Sequence, residues 1–95
     1  IEKVLLNPSS FDLVSLYPNP FNPEVTIQVK VYEEGILNID VFNLSGQRVK
    51  TLINGTFRAG SYSFNWDSSR SPSGMYFFKL TNGKTVVVRK ALLLK

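Results

Sequence analysis

Residues 24–32 read EVTIQVKVY, and their spacing decides the fold class. Val25, Ile27, Val29 and Val31 alternate with Thr26, Gln28 and Lys30. A strand sends successive side chains to opposite faces, so this period of two places four β-branched residues on one face to be buried.

The same pattern continues downstream. Glu33-Glu34-Gly35 makes a short turn, and in ILNIDVFN the apolar Leu37, Ile39 and Val41 alternate with outward-facing Asn38 and Asp40. Phe42 then places an aromatic ring on the second face. A Ser45-Gly46 turn leads into QRVKTLI, where Val49 and Leu52 stand three apart. Perfect alternation cannot bury both, which predicts a bulge or an early strand end. Ala59-Gly60 opens SYSFNW, with Tyr62, Phe64 and Trp66 on one face. After the turn DSSRSPSG, MYFFKL puts Tyr76, Phe78 and Leu80 on one side and Met75, Phe77 and Lys79 on the other. Asn82-Gly83 signals a two-residue hairpin into the last strand, KTVVVRKALLLK.

With a short strand near Phe11 to Tyr17, these segments make seven strands, and none has sustained helical periodicity. They predict an all-β, seven-stranded antiparallel immunoglobulin-like β-sandwich over residues 11–95. Tyr76 begins the penultimate strand, where sandwiches of this type use a tyrosine hydroxyl to bond nearby backbone. Residues 1–10, ending in NPSS, read as a linker or the tail of a preceding region.

Upstream of the first alternating run lies YPNPFNPE, residues 17–24. Proline has no N–H for a sheet ladder and biases the preceding residue towards extended geometry. Pro18, Pro20 and Pro23 therefore exclude a central strand and predict a stiff segment along a sheet edge or between sheets. Asn19 and Asn22 are expected to bond local backbone, and Phe21 to anchor the crossing in the core.

Composition removes several functions. The chain has no cysteine and no histidine, so disulfides, thiolate metal sites and the commonest general base are all missing. Asp40 and Asp67 belong to different strands, and no nucleophile–base pair or spaced calcium loop is visible, so no catalytic residue, metal or cofactor is assigned. Net charge is +4, with Lys84, Arg89, Lys90 and Lys95 all in the last twelve positions. No nucleic-acid module accompanies this excess. The first ten residues lack the pattern of a signal peptide, and no run of about 18 apolar residues could span a bilayer. An export signal would lie upstream in a larger precursor.

The segments LYPNPFNPEVTIQVKV, GILNIDVFNLSGQRVKTL, AGSYSFNWD, SGMYFFKL and RKALLLK occur in this order. Together they resemble the C-terminal sorting domain of the bacterial type IX secretion system, over roughly residues 11–95. The resemblance implies a non-catalytic domain placed last in an exported protein, behind an upstream passenger. It further implies passage through the periplasm, reading by an outer-membrane translocon, and frequent removal by a sortase-like peptidase as the passenger reaches the cell surface. On the same resemblance Lys90, Leu92, Leu93, Leu94 and Lys95 match the terminal signal, and Gly46, Gly60 and Gly74 match turn glycines. Ala91 stands where the family commonly has a larger apolar residue, and the turn after Trp66-Asp67 is short. The sandwich and its WD…SG.Y pattern are also similar to the immunoglobulin-like domain of flagellar hook-capping proteins, but YPNPFNP and the basic last strand favour the sorting domain.

Adjacent Arg89 and Lys90 point to opposite faces of the last strand, which an edge position tolerates best. Ala91 to Leu94 then admits two readings: core packing, or a strand presented for recognition by edge pairing. Carbohydrate binding is the rival function, with Tyr32, Phe42 and Phe77 as an aromatic stripe off the core.

Overall fold

Alternating segments become strands in the computed structural model, which describes residues 10–95. In chain order these are β1 (Phe11–Tyr17), β2 (Glu24–Val31), β3 (Gly35–Phe42), β4 (Arg48–Phe57), β5 (Gly60–Asp67), β6 (Gly74–Thr81) and β7 (Val86–Leu93). One sheet has the order β1-β2-β5 and the other β4-β3-β6-β7, with every strand pairing antiparallel. This is the seven-stranded sandwich that the periodicity predicts. Residues 1–9, most of the segment read as a linker, lie outside the described residues. Ser10 belongs to the sandwich, since its carbonyl accepts the Tyr32 N–H at 2.7 Å.

Between the sheets, Val25, Ile27, Val29 and Val31 of β2 meet Leu37, Ile39 and Val41 of β3 and Tyr76, Phe78 and Leu80 of β6, all buried. Burying a side chain of this size stabilises by roughly 1.5–3 kcal/mol, so the alternating faces supply the main driving force. Phe11, Phe21 and Leu93 close the core at its margins.

Two local expectations change. The β3–β4 ladder does slip at the predicted place, and it slips twice. Ile39 faces Ile53 while Asp40 faces Thr51, leaving Leu52 as the extra residue, and a second slip leaves Val49 extra. These bulges absorb the spacing conflict: Leu52 still packs on the core, whereas Val49 is exposed. The strand consequently runs on to Phe57 rather than ending early. The Asn82-Gly83 turn is not a two-residue hairpin, because Thr81 pairs with Val86 and four residues intervene. The Asn82 carboxamide oxygen accepts the N–H groups of Lys84 (2.9 Å) and Thr85 (2.8 Å), which widens the turn around Gly83 at φ +95°.

Asp40 faces outward as expected, yet is only 8% exposed. The Asn38 amide (2.7 Å) and Thr51 hydroxyl (2.6 Å) donate to its two oxygens, replacing the water that it loses.

Ile27→Ala should cost about 2–5 kcal/mol, because the core closes poorly around a missing β2 side chain. Ile36→Ala, at a position 59% exposed, should stay within about 0.5 kcal/mol. Urea unfolding followed by Trp66 fluorescence measures both, and equal costs would contradict the assigned faces.

Candidate functional site

At one end of the sandwich the segment 18–23, the β5–β6 loop 68–73 and the end of β7 converge. The first of these joins β1 to β2 of the same sheet, and on the way it reaches across to the edge of β7 in the other sheet. Its prolines are exposed, and the peptide bonds before Pro18, Pro20 and Pro23 are cis. Phe21 between them is 1% exposed, with its ring centroid 6.0 Å from that of Trp66 and 6.4 Å from that of Phe78. Trp66 in turn lies edge-on to Tyr76 at 5.3 Å. Such tilted and edge-to-face pairs add roughly 0.5–1.5 kcal/mol each to simple burial.

Phe21 also works through its backbone. Its N–H donates to the Leu92 carbonyl (2.9 Å), and its carbonyl accepts the Leu94 N–H (3.1 Å), forming a parallel bridge to β7. The Leu92 N–H donates to the Asn19 carboxamide oxygen at 3.1 Å. Asn19 therefore bonds backbone 73 positions away, not local backbone as its turn chemistry suggested. Asn22 is exposed.

Residues 68–73 complete the arrangement. Ser68 is fully buried, and both its N–H (3.0 Å) and its hydroxyl donate to the Pro23 carbonyl. The Tyr76 hydroxyl donates to the Pro72 carbonyl at 2.6 Å, the short-range backbone bond anticipated for this tyrosine. The loop so fixed receives Lys95: its N–H donates to the Ser73 hydroxyl (3.0 Å) and its ammonium to the Ser69 carbonyl (2.6 Å). Ser69 donates from its hydroxyl and, at 2.9 Å, from its N–H to the Asp67 carboxylate. These bonds, side chain first, hold the Asp67 carboxyl below its usual range, with a smaller contribution from the Lys95 charge. Sequence reasoning passes over Ser68, Ser69 and Ser73, since DSSRSPSG looks like any polar turn, and it weighs Asp67 only as a catalytic carboxylate.

The terminal residues are divided by strand alternation. Ala91 and Leu93 are buried at 1% and 0%, whereas Lys90 and Leu94 are exposed and Leu92 is half-buried. Lys90 stands opposite Phe77, and Leu92 opposite Met75, on the outer face of the sheet. Trp66 and Gly74 sit beneath and beside this end, Gly74 facing Leu93 in the ladder. Gly46 and Gly60 lie elsewhere: Gly46, at φ +86°, turns between β3 and β4, and Gly60 faces Val31. A left-handed backbone at Gly46 penalises any Cβ.

The three aromatics weighed for sugar binding do not form one platform. Phe42 and Phe77 are register partners on the four-stranded sheet, but Tyr32 follows β2 on the other and donates to Asp12 at 2.9 Å. A cleft of about 390 Å³ lies at the far end beside Ser10, Glu33, Asn82 and Lys84. No helix among the described residues is long and apolar enough to cross a membrane.

Asn19→Ala should speed hydrogen exchange of the Leu92 amide about fivefold, the equivalent of ~1 kcal/mol, and leave Ile27 unchanged. An unaffected Leu92 amide would remove Asn19 as its acceptor. Because the folded-state pKa of Asp67 is lowered, its contribution is complete above the usual aspartate value, about 3.9, and is lost as pH falls through the lowered one. Over that acid interval the Ser69 amide should lose protection, and Asp67→Asn should abolish this pH dependence. Persistence of the same acid step in the variant would assign it to another group.

Among curated proteins, none is similar enough to match the chain. The family model described as secretion system C-terminal sorting domain matches residues 15–94, from the middle of β1 through the clasped end of β7. The chain belongs to that family, whose role is non-catalytic, and it is a C-terminal sorting signal for type IX secretion, directing its protein to the cell surface or the extracellular space.

Proposed function

We propose that the export machinery reads this domain in its folded state, through Lys90, Leu92, Leu94 and Lys95, while Ala91 and Leu93 hold that surface in place. The observation carrying this reading is the bridge from Phe21 to Leu92 and Leu94. It anchors the terminal strand in the sandwich, so that from Lys90 to Leu94 only alternate side chains face outward. A signal read as a loose peptide would have to break the bridge and expose Leu93 first.

On this reading the domain performs no chemistry and holds no metal or cofactor. Residues 1–9 connect it to an upstream passenger, and residues 10–95 form the sorting unit. The passenger crosses the periplasm ahead of the folded domain and meets an outer-membrane translocon. A sortase-like peptidase then cuts in the connecting segment. Pro18, Asn19, Pro20, Phe21, Asn22 and Pro23, with Gly46, Gly60, Trp66, Gly74 and Tyr76, act as scaffold for the signal.

The test fuses the 95-residue chain to a folded periplasmic reporter in a bacterium with type IX machinery. Lys90→Ser with Leu94→Ser should cut surface delivery at least tenfold while the purified protein keeps its unfolding free energy within about 0.5 kcal/mol. Leu93→Ala should lower delivery only together with stability, by about 2–5 kcal/mol. Full delivery after deletion of Leu92 to Lys95 would exclude the terminal strand as the signal.

A further inference from the structure

The bridge that closes one half of the β7 edge leaves the other half open. Leu92 N–H, Leu92 C=O and Leu94 N–H point outward to Asn19 and Phe21. In an antiparallel pair alternate residues direct both polar groups to the same side, so the outward groups before them belong to Lys90, Val88 and Val86. None of these has a hydrogen-bond partner among the described residues, and β7 is the last strand of its sheet. The β6–β7 register is uninterrupted over all eight residues.

Natural edges are usually blunted. Here β1 and β4 are each broken by bulges. Along the regular edge of β5 the outward side chains are Ser61, Ser63 and Asn65, small and polar. β7 instead presents Val86 and Val88, 55% and 50% exposed, beside unpaired main chain. Exposed Arg89 and Lys90 follow on opposite faces, Lys79 stands opposite Val88, and Lys84 lies in the preceding turn. The nearest carboxylate on the outer face, Asp40, is already buried under Asn38 and Thr51.

We infer that the Val86–Lys90 edge is a strand-addition site for an extended partner segment, apolar opposite Val86 and Val88 and acidic opposite Arg89 and Lys90. Main-chain bonds supply affinity, and the two cations select the register and the sign of the partner. A second copy of this chain is the poorer occupant, because its own edge brings a further Arg89 and Lys90 to an already cationic strip. The site shares Lys90 with the proposed signal surface and rests on the sorting role only for its biological setting.

The probe is an acetylated Thr-Glu-Glu-Val-Thr-Val-Thr peptide, which lies antiparallel with its glutamates opposite Lys90 and Arg89. Added to the isotope-labelled 95-residue chain, it should slow exchange of the Val88 and Lys90 amides at least tenfold. The same peptide with lysine for glutamate should not. Val88→Pro removes an outward N–H but none of the bonds to β6, which use the intervening residues Val87 and Arg89. It should abolish the protection while the Val87 and Arg89 amides stay protected. If that variant fails to fold, Val88→Glu at the same exposed position should repel the acidic peptide. No protection by the acidic peptide, equal protection by the lysine peptide, or binding that survives Val88→Pro or Val88→Glu would overturn the proposal. Protection of Val88 that rises with protein concentration alone would overturn it in favour of self-pairing. Peptide binding is measured without cells, so a fusion retained in the periplasm would count against the sorting surface and leave the edge to be judged by the peptide.

Discussion

Phe21 is held at both ends of its structure, with its ring in the core and its backbone on the edge of β7. The aromatic cluster of Phe21, Trp66, Tyr76 and Phe78 fixes where that backbone lies, and the bridge then fixes Leu92 to Leu94. The prolines set the length of this pairing. Pro23, the next residue in alternation to face β7, has no N–H to donate and gives its carbonyl to Ser68, so the segment makes a single-residue bridge and cannot extend it into a ladder. A strand edge is thereby closed over three residues and left open over five.

That limited closure organises the end of the domain at which the chain's last residues lie. Strand alternation converts ALLLK into two sets: Ala91 and Leu93 carry packing, while Leu92, Leu94 and Lys95 remain at the surface with Lys90. Loop 68–73 keeps Lys95 from swinging free, through the Ser73 hydroxyl and the Ser69 carbonyl. Tyr76 stiffens the same loop from below. Core, connecting segment and loop thus converge on a few terminal residues, the arrangement on which the proposed folded-state reading rests.

The two outer faces differ in a way that matches this division. Across the three-stranded sheet run polar rows such as Ser15, Gln28 and Ser63, in which the Ser15 hydroxyl donates to the Gln28 carboxamide oxygen at 2.8 Å. Across the four-stranded sheet run Arg48, Phe42, Phe77 and Lys90, then Thr51, Asp40, Lys79 and Val88. Phe42 and Phe77 in the first of these rows are half-buried, with Arg48 and Lys90 exposed on either side.

Local chemistry was enough for the strands. EVTIQVKVY and MYFFKL state their buried faces outright, because a period of two has one solution once one face must leave water. The conflict between Val49 and Leu52 even marked the bulges, and three prolines marked an edge crossing. The wider Asn82 turn was hidden, since a carboxamide accepting two N–H groups competes with the two-residue hairpin that Asn-Gly also allows. What sequence order alone could not express was that YPNPFNP and ALLLK, some seventy positions apart, are neighbours. Their contact depends on the sheets stacking so that the end of β1 and the end of β7 reach the same pole, a long-range consequence of the shared core. The sequence by itself determined which apolar strand faces leave water, because a period of two allows only one face to be buried. Tertiary structure decided which half of the last strand is closed by Phe21 and which half is left with its hydrogen bonds unmade.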